Sequence, residues 1–144
     1  MSVAVEDFNW DVISLAAQPT TPGAGTNFLY TVPAGMRARL YAFTFKYQTD
    51  GNAANRVCVF GADSGAGIGI ISKTWELQTA TQTNYYYMGA GYANSDGADQ
   101  VARYQATPNF IDLEAGYRIQ VSITLKEAGD QVTPKWLMKL AATP

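Results

Sequence analysis

The chain contains no histidine and only one cysteine, Cys58. The first absence removes Ser-His-Asp and Cys-His nucleophile systems and most zinc sites, all of which need an imidazole. The second excludes an internal disulfide. Within the alternating run "NRVCVFGA", Cys58 reads as a small, inert, buried hydrophobe. Charge is also sparse, at 15% of residues with a net value of −2. The ten Lys and Arg are scattered, with no run longer than Arg37-x-Arg39. Nucleic-acid binding needs several cations converging on phosphates, so no nucleic-acid partner is expected. No apolar run approaches the ~18 residues of a membrane span, and none is expected to meet a membrane. The opening "MSVAVEDFNW" lacks the basic and apolar regions of a signal peptide, which points to synthesis in a reducing cytosol.

What is present is apolar, aromatic and punctuated. The 144 residues are 47% hydrophobic, with nine Tyr, six Phe, three Trp, thirteen Gly and six Pro. A chain of this length makes one domain, residues 1–144, and buries roughly two-thirds of its unfolded surface. Helical periodicity is nearly absent. Short alternating runs predict strands near 3–8, 10–17, 27–32, 36–48, 55–61, 68–76, 82–88, 101–106, 109–113, 117–126 and 134–141, some of which must merge or fail. The expected fold is all-β: an antiparallel two-sheet β-sandwich of about eight strands. "QPTTPGAG" (18–25) cannot be a strand, because Pro and Gly interrupt any ladder. "TDGNAAN" (49–55) and "GADSGAG" (61–67) read as connections between antiparallel neighbours. "GAGYANSDGADQ" (89–100) is a longer polar loop, of the kind that often carries function.

One strand breaks its own rhythm. Over 36–40 the apolar residues are Met36, Ala38 and Leu40, with Arg37 and Arg39 between them. From Tyr41 the large apolar residues are odd: Tyr41, Phe43, Phe45 and Tyr47. A one-residue slip inverts every side chain, so a β-bulge at Leu40-Tyr41 would restore one inward face. The alternative is a strand covered on both faces, the second by another subunit. A faint internal echo adds to this. "VPAGMRARLYAF" (32–43) and "LEAGYRIQVSIT" (113–124) both place an Ala-Gly turn before an Arg-bearing strand. The echo is either chance or two similar hairpins in opposite halves of a double Greek key.

Candidate chemistry is thin. Ser64 in "GADSGAG" is not a nucleophile elbow, and "GAGIG" (65–69) lacks the helix of a dinucleotide site. Asp50, Asp63, Asp96, Asp99 and Asp130 fall in turns, where solvated turn-formers are expected. Asn94, Asp96 and Asp99 could offer oxygens to calcium but lack the spacing of an EF-hand loop. No catalytic residue, cofactor or metal ligand is assigned. In "NYYYM" (84–88), Tyr85 and Tyr87 share one face, read as core, and Tyr86 takes the other, at a surface or interface. Val3, Val5 and Phe8 lie in a terminal segment that is either an extended arm over residues 1–9 or the domain's first strand. The candidate interface residues are therefore Val3, Val5, Phe8, Tyr86 and Tyr92.

Residues 30–60, "YTVPAGMRARLYAFTFKYQTDGNAANRVCVF", resemble a pattern in structural proteins of tailed bacteriophages. Its elements are Val32-Pro33-Ala34-Gly35, then Arg37 and Arg39 on an alternating strand, then Asn55-Arg56 before another strand. The resemblance covers about a fifth of the chain. It implies a jelly-roll type sandwich in a virion, and within that group a capsid decoration (cement) protein. Such proteins commonly form homotrimers, bind the major capsid protein on the outer capsid surface, and are made in the host cytoplasm. They are not enzymes. The alternative is a phage tail, neck or fibre adaptor, or a receptor- or glycan-binding β-sandwich module.

Overall fold

Alternating apolar and polar residues make the strands of this chain, and Gly- and Pro-rich clusters separate them. The computed structural model describes residues 16–66, 69–90 and 102–143, without the side chains of 71–73, 75–77 and 102–106. Its nine strands are β1 (Phe28–Thr31), β2 (Met36–Gln48), β3 (Arg56–Asp63), β4 (Gly69–Gln78), β5 (Thr83–Gly89), β6 (Ala102–Ala106), β7 (Ile111–Leu113), β8 (Arg118–Thr124) and β9 (Gln131–Ala142). Four form one sheet in the order β1-β8-β3-β4. The other five form a sheet centred on β2, which pairs with β9 along one edge and with β7 and then β5 along the other, β6 lying beyond β5.

The chain is therefore an all-β two-sheet sandwich. Its described strands number nine where about eight were expected, and not all of them are antiparallel. The β3–β4 hairpin stays within one sheet, and β5 and β6 run parallel, with Tyr85 opposite Ala102 and Gly89 opposite Ala106. Every other pair among the described residues is antiparallel. A parallel return needs a connection of about a dozen residues, which the stretch 90–101 supplies. Residues 49–55 also differ from expectation: they cross from β2 to β3, which lie in different sheets, and do not join neighbours. Of the two N-terminal strands expected, 3–8 and most of 10–17 lie outside the described residues, while Ala16 and Ala17 are not strand.

The internal echo is structural. Each Ala-Gly turn is a corner that carries the chain between sheets, from β1 to β2 and from β7 to β8, with Gly35 at φ +74° and Gly116 at φ +84°. Only glycine takes that conformation without strain. The two corners lie side by side, since Val32 N donates to Tyr117 O and Gly116 N donates to Val32 O, both at 2.9 Å. β1 pairs with β8 and β2 with β7, so the two units are antiparallel copies of one another.

The broken rhythm of β2 is a bulge. Leu40 pairs with Met138 but Ala42 pairs with Leu137, leaving Tyr41 as the extra residue. The opposite edge of β2 changes neighbour at the same point, from β7 over 38–40 to β5 over 42–48. Ala38, Leu40, Phe43, Phe45 and Tyr47 all reach the core as a result. Tyr41 does not; it is half-buried on the outer side with Ala42. Inside, Phe43 meets Phe60 of the facing sheet at 5.0 Å between ring centroids, and Phe45 stacks on Tyr86 at 4.5 Å. Burying each such ring contributes about 1.5–3 kcal/mol.

Candidate functional site: the outer face of the five-stranded sheet

Because side chains alternate across a strand, the buried set Phe45, Tyr47, Pro134, Trp136 and Met138 determines what points away from the core. Lys46 on β2 and Lys135, Leu137 and Lys139 on β9 face outward, as do Arg37 and Arg39 before the bulge. Five of the chain's ten cations thus share one sheet face. Tyr85 and Tyr87 join it from β5, opposite Lys46 and Thr44. Asp112 of β7, opposite Arg39, is the one carboxylate that the described side chains of these strands place there.

The centre of this face is ordered by specific contacts. Arg39 binds Asp112 in bidentate fashion, Nε to Oδ1 at 2.7 Å and Nη2 to Oδ2 at 2.8 Å. That hydrogen bonding holds the Arg39 guanidinium above its ordinary pKa, against the opposing effect of desolvation. Its Cζ lies 3.9 Å from the Phe110 ring centroid, and Phe110 meets Tyr41 edge-on at 6.4 Å. Lys139 Nζ lies 5.7 Å from the centre of the Tyr41 ring. Such cation–ring contacts are worth about 0.5–1 kcal/mol at exposed sites and more once desolvated, so a partner that covers the face strengthens them. Phe110 at 41% and Leu137 at 47% exposure supply apolar surface.

The frame beneath is locked by buried polar groups. Arg56, fully buried, uses all five of its N–H donors. Nε donates to Asp130 Oδ2 (3.0 Å), Nη2 to Asp130 Oδ1 (3.1 Å) and Asp50 Oδ1 (2.8 Å), and Nη1 to the carbonyls of Asn52 (2.9 Å) and Ala54 (3.1 Å). The Tyr47 hydroxyl donates to Asp130 Oδ2 at 2.6 Å, and the backbone N–H groups of Asp50 and Glu127 donate at 2.9 and 2.8 Å. Burial pushes the Asp130 carboxyl up, but the Glu127 N–H, Tyr47, the Asp50 N–H and Arg56 together hold it below the usual range. Burial and the bond to Asp130 push the Tyr47 phenol well above its ordinary value. A second set ties β4 to β2 and β5: Gln78 donates to Tyr47 O at 2.9 Å and accepts from the Tyr86 hydroxyl at 2.9 Å.

These positions correct several expectations. Tyr86 is a fully buried core ring, whereas Tyr85 is exposed and Tyr87 half-buried, so the parity of "NYYYM" is the reverse of that expected. A partner at the surface cannot reach Tyr86. Asp63 and Asp130 are buried, because guanidinium groups compensate them. Arg118 Nε donates to Asp63 at 2.9 Å, and with the Gly65 N–H it holds that carboxyl below its ordinary pKa. Cys58 is buried, as expected. Val3, Val5, Phe8 and Tyr92 lie outside the described residues, as do Asn94, Asp96 and Asp99. Among the described residues, no group of three or more His, Cys, Asp or Glu is placed to hold a metal ion.

A cleft of about 310 Å³ lies between β1 and β9, lined by Phe28, Leu29, Tyr30, Trp136, Leu140 and residues 16–20. It is mainly apolar. Tyr30 packs edge-on to Trp136 at 4.8 Å, and its hydroxyl has no hydrogen-bond partner among the described residues. The outer face was the feature hardest to see in sequence. Its cations come from two strands with 89 positions between Lys46 and Lys135, and only strand parity, corrected for the bulge, aligns Arg39 with Lys46. No protein-family model, curated protein or solved structure matches the chain.

Proposed function

We propose that the protein is a non-enzymatic virion structural protein, a decoration protein on the outer surface of a tailed-phage head. The observation that carries this reading is the outer face of the five-stranded sheet. It is a broad cationic and aromatic surface, on a frame whose internal polar groups hold it in place. A surface of this composition suits protein docking: aromatic and Arg residues are the side chains that most often carry interface energy. The phage resemblance adds support, since its residues are structurally central. Val32 to Gly35 form the sheet-switching corner, Arg39 anchors the face, and Arg56 centres the buried network.

The mechanism is mechanical. Packed DNA pushes the shell outward, and a clamp that bridges capsid subunits resists their separation. Individually weak contacts gain by effective concentration when copies are linked, as in a homotrimer. Binding the assembled shell and not its free subunits stabilises the shell by linkage. The test is co-sedimentation with purified heads that lack the protein, followed by heating of decorated and bare DNA-filled heads. Decorated heads should retain DNA to a higher temperature. Failure to sediment with heads would contradict the reading. The exposed Tyr85 ring, at 39%, favours a second reading as a tail or neck adaptor or a glycan-gripping module, in which the protein would sediment with tails or bind glycan.

A further inference from the structure

The outer face changes character along β2. At the Arg39 end the cations are already engaged: Asp112 holds Arg39, and Lys139 sits over the Tyr41 ring. Toward Gln48 the composition differs. Tyr85, Lys46 and Thr133 lie side by side on β5, β2 and β9, and Tyr87, Thr44 and Lys135 form the row beside them. All six face outward, and Tyr85 and Lys135 are exposed. Thr44 is short, so the surface dips between Tyr87 and Lys135.

The two lysines lack a counter-charge. Lys46 and Lys135 are diagonal neighbours across the β2–β9 pair, which sets their Cα atoms about 7–8 Å apart. Neither makes an ion pair or a hydrogen bond with a described residue. Asp112 sits beside Arg39, about 20 Å back along β2, and is already taken. Two like charges held this close repel, and an anion placed between them relieves the repulsion. Beside them the exposed Tyr85 ring offers a flat surface with a polar tip. This is the chemistry that a charged sugar requires. The ring covers the apolar C–H face of a pyranose, and the ammonium groups take a carboxylate through charge-assisted hydrogen bonds. Thr44 and Thr133 add hydroxyls for those of the sugar.

We propose that Lys46, Lys135, Tyr85 and Thr44 form a binding site for a short anionic saccharide, one that carries a uronate-type carboxylate. This names the ligand class for the glycan-gripping reading given above, and rests on it. A protein partner fits this end of the face less well. No Leu, Ile, Val, Met or Phe stands in either row, whereas the buried centre of a protein interface is apolar and poor in charge. A nucleic acid also fits less well, because its phosphates come in series and two lysines on a chain of net charge −2 provide no track for them.

Isothermal titration calorimetry of the full-length protein tests this, with trigalacturonate, its fully methyl-esterified form, tetraglutamate and a four-residue thymidine oligonucleotide as probes. Trigalacturonate should bind. The ester keeps every ring and hydroxyl of the sugar but no charge, and should bind about tenfold or more weakly. Tyr85→Ala and Lys46→Gln/Lys135→Gln, each checked for folding by circular dichroism, should each weaken trigalacturonate by a similar factor. Raised salt should weaken it in the wild type, a readout that needs no variant. Equal binding of the ester overturns the inference and leaves the glycan reading standing, whereas no binding of either form removes both. Variants that bind as wild type also overturn it. So does tetraglutamate or the oligonucleotide bound as tightly as trigalacturonate, since the lysines then serve an acidic protein or a nucleic acid. A protein that binds trigalacturonate in this way but never sediments with heads would sink the decoration reading and leave the site standing.

Discussion

Arg56 shows how much a single residue's role depends on burial. It lies among turn residues, where a solvated cation is the default, yet every donor it has is satisfied inside the protein. Removing one partner of such a network leaves the other charge buried and uncompensated. Arg56→Met is expected to cost about 3–5 kcal/mol, read by urea unfolding. The acid limb follows from Asp130 and Asp63, both held below their ordinary pKa. The fold binds their charged forms, so the stability they contribute is complete above the unfolded carboxylate value near ~3.9 and is lost as pH falls through the lower folded values. The melting temperature should be level above about pH 5 and fall below about pH 4. Asp130→Asn should flatten that fall while lowering stability at neutral pH. None of this was legible from residue type, because pairing Arg56 with an acid seventy-four positions away requires the fold itself.

At the scale of the element, β2 is the informative case. Its bounds and bulge follow from parity alone, since burying Leu40 and Phe43 on one side demands an extra residue between them. The core role of Phe45 follows in the same way. Phe45→Ala should cost about 3–5 kcal/mol and its neighbour Lys46→Ala under about 0.5, by thermal or urea unfolding. Deleting Tyr41 joins Leu40 directly to Ala42 and restores strict alternation. That variant should still unfold cooperatively, whereas deleting Thr44 inverts every residue beyond it and should abolish the cooperative melt. The tyrosines of β5 were harder to read. "NYYYM" alternates equally well in either phase, and the choice is made by Gln78, whose buried amide accepts the Tyr86 hydroxyl from another strand. The parallel β5–β6 pair was likewise invisible, because strand direction leaves no mark on a five-residue segment.

At the scale of the whole molecule, what matters is the separation of charge between one sheet face and the rest of the chain. Sequence spacing suggested scattered cations; pairing β2 with β9 brings Arg39 beside Lys139 and Thr44 beside Lys135. Composition had therefore shown how many cations there are but not that half of them converge. A surface of that kind, on a rigid sandwich, is suited to holding other proteins together, and a decoration role requires it to do so many times per particle. The direct measurement of the proposed role is the number of copies per purified virion of a tailed phage whose genome carries this gene, by quantitative gel or mass spectrometry against the major capsid protein. The account predicts copies in fixed proportion to the capsid subunits, retained by isolated heads and missing from isolated tails. A handful of copies per particle, found with the tails, or none at all, would contradict it.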